Sequence, residues 1–110
     1  MPVRLFALVK KEPGLPPSRH FVGMPPELTG GKDYRQRLPM ARVLLLQEEN
    51  DGISLYRYAQ NGGLAGDTWH ETIRDAMEQA EDEYGDALGE WKPVPDDVDD
   101  ADEFVIGQIP

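Results

Sequence analysis

His70 is the residue whose chemistry stands out first. Imidazole titrates near neutrality, and Asp67 and Glu71 lie close to it in the chain, so His70 with Asp67 is the candidate acid–base pair. Nothing nearby completes a catalytic set. Cysteine is absent, which excludes thiolate catalysis, disulfides and cysteine-held metals. Ser18 and Ser54 are the two serines, and Gly52-Ile53-Ser54-Leu55-Tyr56 departs from the nucleophile-elbow pattern at its last position. The competing reading of His70 is structural: it ends a strand and donates to a backbone carbonyl or to the start of a helix. The chain reads as non-enzymatic rather than enzymatic, with His70 and Asp67 as its only catalytic candidates.

The other candidates are binding residues. Trp69, Tyr56 and Tyr58, together with His70, could line a ligand or partner surface, although such aromatics more often pack a sheet. Glu78, Glu81, Asp82 and Glu83 are placed on the outer face of a helix, three of them in its last turn, where the helix dipole disfavours negative charge. Glu78, Glu81 and Asp82 are the partner-binding candidates there, against a basic surface such as Arg35 and Arg37 or a foreign protein. The run Asp96 to Glu103 fails as a calcium loop, because counting from Asp97 puts Ala101 at the fifth position and Asp102 where glycine is required. Two histidines, His20 and His70, far apart, do not suggest zinc. Gly30-Gly31-Lys32-Asp33 and Gly62-Gly63-Leu64-Ala65-Gly66 match neither phosphate-loop nor dinucleotide fingerprints. No metal and no cofactor is expected.

The elements that must hold these residues are legible in part. Thr72 suits an N-cap, Ile73, Ala76, Met77, Ala80 and Tyr84 recur at helical spacing, and Gly85 follows as a left-handed stop, so a helix spans 73–84. Val3 to Lys10 reads as a strand. Arg42 to Gln47, with Val43-Leu44-Leu45-Leu46 continuously apolar, reads as a strand covered on both faces. Ile53–Ala59 and Leu64–Trp69 flank Asn61-Gly62, the signature of a two-residue type I′ hairpin. Such a loop sets Tyr58 against Ala65, Tyr56 against Asp67 and Ser54 against Trp69 on one face. It sets Ala59 against Leu64, Leu55 against Thr68 and Ile53 against His70 on the other, aliphatic face, which suits the helix. Both faces want cover. Glu90 to Val94 could return as a short edge strand, since Pro93 bars a central place.

Two segments differ in kind. Lys11 to Pro39 holds six prolines and four glycines and reads as an extended arm. Residues 95–110 read as an acidic tail, a linker Asp96 to Glu103 closing on Phe104-Val105-Ile106 as a last strand or docking peptide. The expected fold is α+β: an antiparallel sheet of three to five strands with one packed helix, in a single domain over 1–94, plus the arm 11–39 and the tail.

The chain has 110 residues and a net charge of −10. Residues 1–42 carry eight basic against three acidic residues, a net of +5, while 43–110 carry three against eighteen, a net of −15. Excess acid argues against nucleic acid, whose phosphates need clustered Lys and Arg. The apolar run Leu5 to Val9 is too short for a signal core or a membrane span, so a soluble cytoplasmic protein is expected.

Gly66-Asp67-Thr68-Trp69-His70-Glu71-Thr72, followed by Ala76, Gln79-Ala80-Glu81, Glu83-Tyr84-Gly85 and Trp91, resembles a family of small bacterial proteins without assigned function. In them a hairpin ending in Gly-Asp-Thr-Trp-His runs into a helix with an aromatic-Gly exit. The resemblance covers residues 53 to 94 and implies no activity.

The first functional expectation is an interaction module whose acidic helix and tail meet a basic partner, immunity-like or regulatory. The alternative is a small-molecule binder or enzyme built on Asp67, Trp69 and His70. Homodimerisation is compatible with either.

Overall fold

The computed structural model describes residues 3–10, 21–22, 36–37 and 40–110, the two short pairs by their backbone alone. Its centre is β4, Ala41–Glu49, whose Val43 to Leu46 are fully buried, as their continuous apolarity requires of a strand covered on both faces. β5 (Gly52–Ala59) pairs with one side of β4 and β1 (Arg4–Leu8) with the other. Outside these lie β6 (Leu64–His70) and β7 (Lys92–Pro93), so the five-stranded sheet has the order β6-β5-β4-β1-β7, antiparallel throughout. Pro93 sits in an edge strand, where its missing N–H costs no ladder bond. Two residues each of β2 (Phe21–Val22) and β3 (Gln36–Arg37) form a separate antiparallel pair. The rest of the arm 11–39 lies outside the described residues.

The helix forms where its signals place it, α1 being Ile73–Tyr84. Thr72 Oγ1 accepts from Asp75 N at 3.1 Å, and Gly85 ends the helix at φ 52°, ψ −126°, a positive φ that no side-chain-bearing residue adopts readily. α1 must travel from β6 at one edge to β7 at the other. Its 12 residues are about 18 Å long. Four inter-strand steps of about 4.8 Å give about 19 Å between those edges, so the helix is about as long as the face it crosses. The small Ala76 and Ala80, both fully buried, let it lie close on Leu44, Leu46, Ile53 and Leu55.

The hairpin loop differs from expectation. Ala59 N donates to Gly63 O and Gly62 N to Ala59 O, which makes a three-residue loop with Gly62 at φ 83°, not a two-residue type I′ turn. Tyr58 therefore faces Leu64 rather than Ala65. A bulge then inserts Ala65, Arg57 faces Gly66, and from Tyr56–Asp67 to Ile53–His70 the expected register returns. The two irregularities cancel, because Ala65 points into the α1-side core and the strand must regain its alternation.

The tail also differs. Asp100 Oδ1 caps Glu103 N, and Ala101–Ile106 form a second helix, α2, so that of the two expectations for Phe104-Val105-Ile106 the strand is overturned and the segment docks on the sheet as a helix. α2 crosses the face opposite α1, and Val105 is fully buried with Phe6, Val43, Leu45 and Tyr58. Phe104 meets Phe6 edge-to-face at 5.6 Å. Arg4 pins the approach to α2, donating from Nη1 to Val98 O (2.8 Å) and from Nη2 to Pro95 O (3.0 Å). No described helix is long and apolar enough to cross a membrane.

Candidate functional site

Strand alternation divides the sequence-predicted residues between two faces. Leu64, Asp67 and Trp69 of β6 stand on the α2 side with Tyr56 and Tyr58, while Thr68 and His70 stand on the α1 side with Arg57 and Ile53. Asp67 and His70, three residues apart, thus point to opposite faces and make no common site. Glu78, Glu81 and Asp82 lie on the exposed back of α1, away from both, and Glu78 pairs there with Arg74 at 3.1 Å.

On the α1 side the structure reveals a buried polar network. Arg57 is fully buried, and Glu83, expected on the outer face of the helix, turns inward to meet it. Arg57 Nη2 lies 2.6 Å from Glu83 Oε2 and Nε 3.2 Å from Oε1, a bidentate pair. Nη1 donates to Leu55 O (3.1 Å), and Gln79 Nε2 donates to Glu83 (2.8 Å). Arg57 Nη2 also donates to Thr68 Oγ1 at 3.1 Å, and that hydroxyl lies 2.7 Å from His70 Nε2. Thr68, accepting from Arg57, has its own proton to offer His70, whose Nε2 then acts as acceptor in the neutral tautomer.

The electrostatics agree. Burial, and then the Arg57 charge, hold His70 below its ordinary 6.5, while Asp75 and Glu83 oppose this only in part. Tyr84, covered by the sheet and next to Glu83, has its phenol pushed up to about 12. Every buried side-chain polar atom among the described residues is satisfied. The Arg57–Glu83 pair, held by Leu55, Thr68 and Gln79, fastens α1 to the sheet.

The α2 side carries the accessible chemistry. Trp69 is 53 % exposed and Leu64 50 %, the large hydrophobic residues left uncovered among those described. α2 covers Tyr58 but not the β6 margin. The Trp69 indole lies across Gly52, diagonal to it on β5, so closely that a Cβ on Gly52 would come within 2.4 Å of the ring. Tyr56 Oη donates to Glu49 Oε1 at 2.6 Å, which draws the carboxyl down and the phenol up. Burial, and then the Asp102 carboxylate of α2, hold the Tyr58 phenol well above its ordinary range. Glu49, Asp67 and Asp102 thus stand around Tyr56, with Trp69 on the same face of the sheet. Among the described residues no group of acids and histidines is arranged to hold a metal ion.

Sequence reading missed Arg57 and misplaced Glu83. The signals were present: Arg57 alternates with Leu55 and Ala59 on an aliphatic face, and Glu83 lies three residues after Ala80 and seven after Ala76, hence on the buried stripe. Comparison with family models, with curated protein sequences and with solved structures finds no match to this chain.

Proposed function

We propose that this protein is a non-enzymatic interaction module, regulatory or immunity-like, that takes a basic segment of a partner protein along the β6 margin. The observation that carries the reading is Trp69, an indole more than half exposed and held in place over Gly52 on an edge strand rimmed by carboxylates. Among the described residues β6 pairs only with β5, leaving one side of its backbone ladder to accept an added strand. Lys or Arg side chains of that strand meet Trp69 by cation–π contact and Asp67 and Glu49 by charge. The net charge of −10 draws a basic partner in and makes association salt-sensitive. A joint Asp67, Trp69 and His70 ligand site is not favoured, because His70 faces the other way.

A fluorescein-labelled decapeptide alternating Lys or Arg with Val tests the reading by anisotropy. Binding at low salt, weakening as salt rises, and lost in Trp69→Ala and Asp67→Lys with the melting temperature kept, is the expected result. If Trp69→Ala binds as the parent does while Glu78→Lys/Glu81→Lys abolishes binding, the partner face is the back of α1 and the β6 proposal fails.

A further inference from the structure

At the opposite end of the sheet a second site has the reverse electrostatic character. A cleft of about 520 Å³ opens beside the end of β1, within the roughly 300–1,000 Å³ range of small-molecule sites. Phe6, Leu8 and Val9 supply its apolar wall, Lys10, Arg42 and Lys92 its cationic side chains, and Glu90 its one acidic side chain, with the terminal residue Pro110 also on the lining. In a chain of 21 acidic and 11 basic residues, three cationic side chains beside one acidic side chain and the Pro110 terminus invert the overall balance locally.

The wall is rigid where it needs to be. Val9 N donates to Arg42 O and Gly89 N to Leu8 O, which ties the segment after α1 to β1. Phe6 is held from behind by Phe104. Arg42 is oriented by its own contacts, Nε to Val9 O at 3.0 Å and Nη1 to Gln60 Oε1, while its Nη2 has no partner among the described residues. Lys10 and Lys92 are exposed and have no ion-pair partner among the described residues.

We infer that this cleft binds a small amphipathic carboxylate, its apolar body against Phe6 and Leu8 and its carboxylate among Arg42, Lys10 and Lys92. A carboxylate fits because a planar guanidinium, its Nη2 without a partner among the described residues, and two exposed ammonium groups match one compact anion. The apolar wall selects against small inorganic anions, which gain nothing from it. The site is separate from the β6 margin and does not depend on the partner proposed there.

Sodium octanoate and neutral octanamide, titrated separately into the ¹⁵N-labelled chain, test the inference. Octanoate is expected to shift the amides of Leu8, Val9, Lys10 and Gly89 and to bind at least tenfold tighter than octanamide, about 1.4 kcal/mol. Lys10→Gln/Lys92→Gln, both exposed positions, should weaken octanoate at least tenfold with the melting temperature unchanged. Equal binding of acid and amide would leave only an apolar groove and overturn the assignment. So would shifts confined to other parts of the chain at millimolar octanoate, or a double variant that binds as the parent does.

Discussion

Arg57 and Glu83 meet inside the protein at 2.6 Å, with side chains 0 % and 4 % exposed. One belongs to the strand beside the centre of the sheet and the other to the last turn of α1, so the pair fastens helix to sheet at a fixed register. Two ions removed from water gain little net energy over a well-packed apolar pair, but each leaves a buried charge if the other is lost. The pair therefore defines the packing more than it deepens stability.

Arg57→Met or Glu83→Gln alone should cost about 3–5 kcal/mol in urea unfolding. The double variant Arg57→Met/Glu83→Leu should recover most of that loss. A double variant no more stable than either single would mean the pair is not a unit.

His70 makes stability depend on pH. Its folded pKa is depressed below 6.5. The unfolded chain therefore binds a proton that the folded chain refuses, so its contribution is present above 6.5 and is lost as pH falls through the folded value. Urea midpoints should rise from pH 5 to pH 7 more steeply in the parent than in His70→Gln. Thr68→Val, removing the hydroxyl that donates to Nε2, should move the His70 titration seen by NMR up toward its ordinary value. Parallel pH profiles for parent and His70→Gln would contradict the depressed pKa.

Gly52 sets the posture of Trp69. A methyl at position 52 would stand 2.4 Å from the indole, and the exposed ring has room to swing away. Gly52→Ala should displace the Trp69 indole N–H resonance while lowering stability by less than about 1 kcal/mol, because the strain escapes into solvent. An unmoved resonance would show that the ring does not rest there.

α2 is required to keep the second sheet face dry. Val105→Ala deletes two buried methyl groups, about 1.6 kcal/mol by transfer, with a cavity term added. Val105→Asp should undock the helix, expose Phe6, Val43 and Tyr58, and produce binding of a hydrophobic dye with the α1 side still folded. A Val105→Asp chain that neither binds dye nor loses stability would place the α2 contact outside the core.

Local chemistry settled much of this protein in the sequence itself. The Thr72 cap, the stripe from Ile73 to Tyr84 and the stop at Gly85 determine α1, because each acts within a turn or two of backbone. Continuous apolarity determined that Val43 to Leu46 lie in a central strand, and Pro93 that its strand lies at an edge. Alternation from Ile53–His70 to Tyr56–Asp67 separated the two sheet faces, so the aromatic surface of Tyr56 and Trp69 was legible. Tertiary structure alone decided the rest. The loop length at Asn61-Gly62 yielded to the need to bury Ala65, since a local turn preference is small against core packing. An acidic stretch became α2 because Ala101 and Val105, four residues apart, found an uncovered apolar face. Arg57 and Glu83 are 26 residues apart, and only the crossing of α1 over β5 brings their charges together.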